Sequence, residues 1–342
     1  MSKETLEQNL RRHVYTLSHE IGVRNIEKDI NYHNLQSAAS YIKQSFSDIG
    51  YPVNTQPYNA SYNGSTYKVE NIEVVIKGAY PESIVIGAHY DTVSSLSGAG
   101  NNNTSGDSPG ADDNASGVGG LIEIARHLYG RSFKKTIKLV AFPNEEEPYS
   151  LDQVSRRPFG DNMGSVQYAK RAKENGDVIK GMISLESIGY YDDTPGSQHF
   201  PFCAPIFECC FPNVGNYISF ISNWDSRSFL KECVSAFENS ASPFPFQSMY
   251  VPEWLINTRR SDHTSFSDLG YAAGMVTDIP NLRNPNYHQP TDTFDTLDYK
   301  SFTEAVHNLS LMAEKLGVPN DYHLVEVIGD PNSFDEGHYY EF

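Results

Sequence analysis

The sequence predicts an α/β fold: a three-layer sandwich with a central mixed, mainly parallel sheet flanked by helices. Three observations carry this expectation. Short apolar runs of strand length alternate with helical segments from about residue 69 to residue 316, the order that builds a parallel sheet covered on both faces. No internal repeat interrupts the alternation. The 342 residues are 39% hydrophobic and 12% aromatic, enough for a closed core despite a formal net charge of −17, so acidic disorder is excluded.

Residues 4–20 and 34–49 read as helices, the second with Ala38, Ala39, Ile42 and Phe46 at helical spacing. Residues 51–64 read as polar and turn-rich, 69–76 as a strand and 84–87 as a short buried strand. The Ser/Gly/Asn stretch 94–110 has almost no apolar content and reads as a surface loop. Val118, Leu121, Ile122, Ala125 and Leu128 mark one face of a helix over 115–129, closed by Gly130. Strands follow at 136–142 and 182–185, with a helix at 164–173 between them. Residues 192–248 are rich in Pro, Phe, Cys and Asn and show one helical segment around 229–237. A strand at 272–277 and a helix at 300–316 close the pattern.

Composition narrows the function classes. An acidic chain with no run of Lys and Arg argues against nucleic acid as a partner. No stretch approaches 18 consecutive apolar residues, so no membrane span is expected. The polar start MSKETLEQNLRRHVYTLSHE has no apolar h-region, so no secretory signal and a cytoplasmic location are expected. Cys203, Cys209, Cys210 and Cys233 have no CxxC spacing. They suggest neither a disulfide scaffold nor a structural zinc site, although one local disulfide stays open.

Four apolar strands end in groups that can ligate a metal. The run Ile84-Val85-Ile86-Gly87 leads to His89 and Asp91, and Leu139-Val140-Ala141-Phe142 to Glu145, Glu146 and Glu147. Met182-Ile183-Ser184-Leu185 leads to Glu186, and Ala273-Gly274-Met275-Val276 to Asp278, with His288 a loop later. Open α/β sheets bind ligands beyond the carboxyl ends of their strands, so distant imidazoles and carboxylates should meet at one rim, a donor set that suits zinc. Singly, each group has a plainer reading. His89 suits a hydrogen-bonded loop, the Glu run suits a solvated turn, and Asp112 and Asp113 suit the positive end of a helix. Glu186 follows an apolar run, where an unpaired charge is costly.

In order, His89-Tyr90-Asp91, GADDNASG (110–117), NEEEPYS (144–150) with Met163-Gly164-Ser165 beyond, LESIGYY (185–191), SDHTSF (261–266) and NYHQPTDT (286–293) make a longer signature. Together they resemble the M28 family of zinc metallopeptidases, the co-catalytic di-zinc aminopeptidases. The resemblance covers about residues 69–316 and implies a single zinc-peptidase domain over 1–342, with an N-terminal helical segment 1–50 and an acidic, aromatic tail 320–342. It implies two zinc ions per chain. His89 and Glu186 would bind one, Glu146 and His288 the other, and Asp113, the aspartate followed by Asn, would bridge them. Asp91 would orient His89, and Glu145, three residues after the strand-ending Phe142, would be the general base. The implied activity is removal of N-terminal residues from peptides, with no nucleic acid or membrane partner.

The chain departs from the family's common form in Glu147, in the long polar insertion before Asp113, and in the loop from Pro148 to Asn162. Loops there border the active site, so substrate preference is the property they alter. Three rival readings share the fold: a single-zinc glutaminyl cyclase, a carboxypeptidase with Arg259, Arg260 or Arg283 in its pocket, and a binding module without metal. The aromatic segment 242–254 suits either an apolar pocket or the core.

Overall fold

The computed structural model describes residues 2–94, 107–147, 160–200, 211–238, 244–251 and 259–318. The apolar runs become strands β1 (Asn54–Tyr62), β2 (Ser65–Ile76), β3 (Ser83–His89), β4 (Thr136–Phe142), β5 (Ile179–Glu186), β6 (Ile218–Asn223), β7 (Phe246–Val251) and β8 (Ala273–Thr277). They form one sheet in the order β1-β2-β4-β3-β5-β8-β6-β7. The inner pairs β4–β3, β3–β5 and β5–β8 are parallel, as is β6–β7, while β1–β2, β2–β4 and β6–β8 are antiparallel. The sheet is thus mixed, with a parallel centre. Every residue of β3 and β8 is buried, as strands covered on both faces require.

The helices are α1 (Lys3–Tyr15), α2 (Asp29–Ile49), α3 (Gly117–Leu128), α4 (Gly164–Glu174), α5 (Arg227–Glu238), α6 (His263–Ser267) and α7 (Tyr299–Gly317). One face of the sheet packs Ile84, Ile86, Leu139, Ile183 and Leu185 into a core shared with α1, α2, α3, α5 and α7. On the other face, Val85, Val140, Phe142 and Met182 meet Tyr168 and Ala169 of α4 and Phe266 of α6. These are the three layers that the alternation predicts.

Two expectations need correction. Residues 51–64 hold β1 and the turn of a hairpin. Asn63 and Gly64 both have positive φ, 49° and 79°, the backbone of a two-residue turn whose twist matches the flanking strands. Only Ala60 and Tyr62 of β1 are buried, so apolar periodicity is faint on this edge strand. The region 192–248 likewise holds β6 and the start of β7 besides its helix. In the segment 242–254, described over 244–251, Phe244 packs on Tyr191, and Phe246 on Phe220 and Phe237, so this part belongs to the core. Cys233 is buried and free; Cys203, Cys209 and Cys210 lie outside the described residues, as do the centre of the Ser/Gly/Asn stretch and the tail. Among the described residues no helix is long and apolar enough to cross a membrane.

β4 ends at Phe142, before Pro143 and the left-handed Asn144. The Phe142 ring sits against Tyr168 and Phe266 and over Gly87 of β3, where an added Cβ would lie 2.3 Å from the ring. Gly87→Ala should therefore destabilise the protein by about 1–3 kcal/mol through overpacking, and by clearly less in a Phe142→Leu background. Urea unfolding of the four proteins checks this; purely additive losses would show that the close approach is not the cause.

Candidate metal centre

Because β4, β3, β5 and β8 run parallel, their carboxyl ends lie at one rim. His89 closes β3 and Glu186 closes β5, while Glu145 and Glu146 follow β4. His89 Nε2 lies 3.1 Å from Asp113 Oδ1 and 3.4 Å from Glu186 Oε2. His288 Nε2 lies 3.0 Å from Asp113 Oδ2 and 3.4 Å from Glu146 Oε1. Two groups result, His89–Asp113–Glu186 and Asp113–Glu146–His288, sharing the Asp113 carboxylate.

These contacts fit a metal better than they fit hydrogen bonds. His89 Nε2, Asp113 Oδ1, Glu146 Oε1 and His288 Nε2 are buried, yet none has a partner in hydrogen-bond geometry. Orphaned polar atoms at such depth are rare and costly. Donors held about 2.0–2.1 Å from one tetrahedral ion lie about 3.4 Å apart, close to the separations found here. Within each of the two groups the spacing is that of ligands around one ion.

The GADDNASG motif explains itself on the backbone. Asp112 Oδ1 accepts from the Gly189 amide at 3.0 Å and Oδ2 from Asn284 at 2.8 Å. Asn114 donates to the Leu185 carbonyl at 2.8 Å and accepts from the Ser187 amide at 3.1 Å. Ser116 Oγ accepts from the Ile188 amide at 2.9 Å. Residues 112, 114 and 116 thus fasten the motif to the segment that follows Glu186, while Asp113 faces the two histidines. Gly117 completes the fit, since a Cβ there would meet Asn114 Oδ1 at 2.3 Å and the Leu185 carbonyl at 2.6 Å.

The acidic run divides by backbone direction. Asn144 has φ 60°, turning the chain sharply as β4 ends. Asp91 Oδ1 and Oδ2 then accept from the Glu145 and Glu146 amides, each at 3.1 Å. His89 Nδ1 lies 3.5 Å from Asp91 Oδ1, the outer limit of a hydrogen bond, so the two backbone amides are the firmer partners of Asp91. Glu145 Oε2 stands 4.0 Å from His89 Nε2, Glu146 faces His288, and Glu147 is exposed.

Several supporting residues escape the sequence reading. Asp292 accepts from the Asp112 and Asp113 amides at 2.9 and 3.2 Å, tying the His288 loop to the shared carboxylate. Ser261 donates to Glu186 Oε2 at 2.8 Å. The Tyr287 ring stacks on His288 with centroids 3.8 Å apart. Asp292, Ser261 and Tyr287 all lie within quoted motifs, but their spacing gives no hint of these contacts. Of the three arginines, Arg259 forms a double hydrogen bond with Asp268, and Arg283 is buried against Gln198 and the Tyr217 carbonyl. Arg260 is close enough to act on the Tyr287 phenol electrostatically.

Comparison with known proteins agrees with this geometry. Peptidase family M28 matches residues 71–313. The chain belongs to that family. The Escherichia coli (strain K12) protein YfbL, an uncharacterized protein, is 35% identical over 305 residues, 89% of this chain and 85% of that one. A probable leucine aminopeptidase 1 of Trichophyton verrucosum is 25% identical over 312 residues, covering 85% and 72%. In fold, the chain is similar to a glutaminyl cyclase of Bacteroides thetaiotaomicron, with a TM-score of 0.63, 18% identity and coverage of 91% and 96%.

Charge in this M28 peptidase is strongly coupled to protons. Burial opposes the ionisation of Asp113, but His288 and His89 outweigh it and hold its carboxyl well below the usual range. Burial also disfavours charged imidazoles. Glu186 and Asp113 nevertheless keep His89 well above its ordinary pKa, and Glu146 and Asp113 raise His288 to about 10. Burial lifts Glu146 to about 7 against the pull of His288, and it lifts Glu186 and Glu145 as well. Protons thus supply positive charge among the clustered carboxylates.

A group whose pKa is raised by folding stabilises the fold below its unfolded pKa and loses that contribution as pH climbs through the folded value. For Glu146 the window runs from 4.5 to about 7, and for His288 from 6.5 to about 10; the depressed Asp113 acts only below 3.8. Chelator-treated protein should therefore melt at a lower temperature at pH 9 than at pH 6, and added zinc should raise the midpoint more at pH 9. Scanning calorimetry measures both effects. A higher midpoint at pH 9 in the stripped protein would contradict this electrostatic account.

Proposed function

We propose that this M28 peptidase is a zinc-dependent aminopeptidase that removes the first residue from peptides, acting as one domain with residues 1–50 bracing the catalytic core. The observation that carries the reading is the Asp113 carboxylate shared by two triads, one buried throughout and one buried except for the half-buried His288. His89, Asp113 and Glu186 would hold one zinc ion, and Asp113, Glu146 and His288 a second; two imidazoles among carboxylates are an ordinary zinc donor set. When bound, zinc supplies Lewis acidity, lowering the pKa of water toward neutrality and polarising a carbonyl.

The protein's own groups handle the proton. Glu145 stands beside the triads without belonging to either, and burial with the neighbouring Glu186 and Glu146 charges raises its carboxyl well above the usual range. It can take a proton from the attacking water and deliver it to the departing amine. Asp91 sets the direction of Glu145 through its amide. Burial and the Asp113 and Glu146 charges keep the Tyr287 phenol protonated, leaving it a donor for negative charge that develops on the substrate. The surplus of carboxylates at this rim favours a substrate with a free amine near the scissile bond.

The likeness in fold to a glutaminyl cyclase keeps a single-zinc cyclase as the second reading, and metal analysis separates the two. Two zinc ions per active chain are expected, and one ion at full activity would favour the cyclase. Glu145→Gln should retain metal and fold while turnover falls by about 10²–10⁴, the usual scale for a lost general base. If Glu146→Gln or Glu147→Gln instead gave the metal-replete, inactive protein, the base would be misassigned.

Substrates give an independent test of which end of the peptide is read. Aminoacyl-nitroanilides should be cleaved and their N-acetyl counterparts should be inert, because acetylation removes the amine that the acidic rim attracts. Equal cleavage of both would end the aminopeptidase reading, and ammonia release from an N-terminal glutamine with pyroglutamate formation would establish the cyclase.

A further inference from the structure

Arg24 lies outside the family-matched residues 71–313, between α1 and α2, and is fully buried. Its guanidinium hydrogen-bonds to backbone carbonyls alone among the described contacts. Nη1 donates to Leu17 at 2.7 Å, Gly22 at 2.9 Å and Pro109 at 2.8 Å, Nη2 to Gly110 at 3.1 Å, and Nε to Tyr90 at 2.9 Å. Tyr90 is the residue between His89 and Asp91, and Gly110 opens the motif that carries Asp113. One side chain therefore joins the two loops that meet at the shared carboxylate.

The main chain reinforces the joint. The Arg24 amide donates to Thr92 Oγ1 at 2.9 Å, and the Thr92 amide donates back to the Arg24 carbonyl at 2.8 Å. Thr92 and Pro109 stand at the two stems of the Ser/Gly/Asn stretch. Gly110 is packed so closely that a Cβ would lie 2.3 Å from the Asp113 carbonyl and 2.4 Å from Thr92 Cγ2. A buried cation usually has a carboxylate directly against it. Here the opposing charges of Asp91, Asp292 and Asp113 act from a distance, which leaves the guanidinium fork free for the carbonyls.

We infer that Arg24 is a positioning residue for the metal centre, holding the His89–Asp91 loop and the Asp113 loop in register across the stems of the polar stretch. The inference rests on the metal-binding reading above. A lysine keeps the charge, but a single ammonium cannot reach five carbonyls spread around a planar fork.

Cobalt(II) titration of the metal-stripped protein, followed by its visible bands, is the test. Arg24→Lys should bind cobalt about 10–100-fold more weakly, the usual scale for groups that orient ligands. Its bands should be shifted, and at saturating metal kcat should fall with KM little changed. Leu316→Ala, a buried change at the carboxyl end of α7 beside the start of β4 and so at the opposite edge of the sheet from both loops, should lower the melting temperature and leave the bands unchanged. Wild-type cobalt affinity and spectrum in Arg24→Lys would overturn the inference. If that variant does not fold, Thr92→Val, which removes one clamp, should weaken cobalt binding several-fold, and wild-type binding there would overturn it equally. Failure of the wild-type protein to bind cobalt would instead overturn the metal-binding reading.

Discussion

The shared carboxylate of Asp113 sets the terms for the rest of the structure. Its two oxygens stand 3.1 and 3.0 Å from two imidazoles that arrive from opposite ends of the chain. Around it are Glu145, Glu146 and Glu186, each shielded from water. Removing that many carboxylates from solvent is strongly unfavourable unless positive charge accompanies them. Protons can supply it in part, and divalent cations can supply it fully. Metal affinity and folding stability are therefore coupled at this rim, because whatever binds only the folded arrangement also stabilises it.

Much of this was legible in the sequence. A strand-ending apolar run followed by a group that is costly to bury is a local pattern, and the parallel sheet then brings such patterns to one edge. His89, the glutamates after Phe142, and Glu186 are readable on that basis. The hairpin of β1 and β2 was less visible, since an edge strand buries few side chains and the strongest cue was the Asn63-Gly64 turn. The fastening residues were hardest to see. Asn114 and Asp292 act by pairing polar side chains with backbone groups 71 to 180 positions away, and hydrogen bonds at that range leave no periodicity in the chain.

Consecutive glutamates with different surroundings illustrate how backbone geometry differentiates like side chains. Glu145, Glu146 and Glu147 have the same chemistry and the same reach. The positive φ of Asn144 and the two amides gripped by Asp91 determine which one meets His288, which one stands free of both triads, and which one faces solvent. Left-handed backbone recurs beside the site at Ser187 (φ 51°) and at His288 itself (φ 58°). Such conformations persist where surrounding contacts over-determine them. Here the contacts are those of Asn114 with the Ser187 amide and of Tyr287 stacked on His288.

Fold alone does not choose between hydrolysis and cyclisation, because a cyclase and this chain share one architecture, and function resides in the site grafted on it. The feature that bears on the choice is how the carboxylate shared by the two groups is committed. An aspartate that served one ion would need one oxygen aimed at that ion's ligands, and its other oxygen would be satisfied by a local donor. Asp112, its neighbour, shows what such local satisfaction looks like, with both oxygens taken up by Gly189 and Asn284. Asp113 instead spends neither oxygen on the protein scaffold: its amide is held by Asp292 and each oxygen faces a different imidazole. That division of labour between adjacent buried aspartates, one bonded to the scaffold and one facing an imidazole with each oxygen, supports the two-ion reading proposed above.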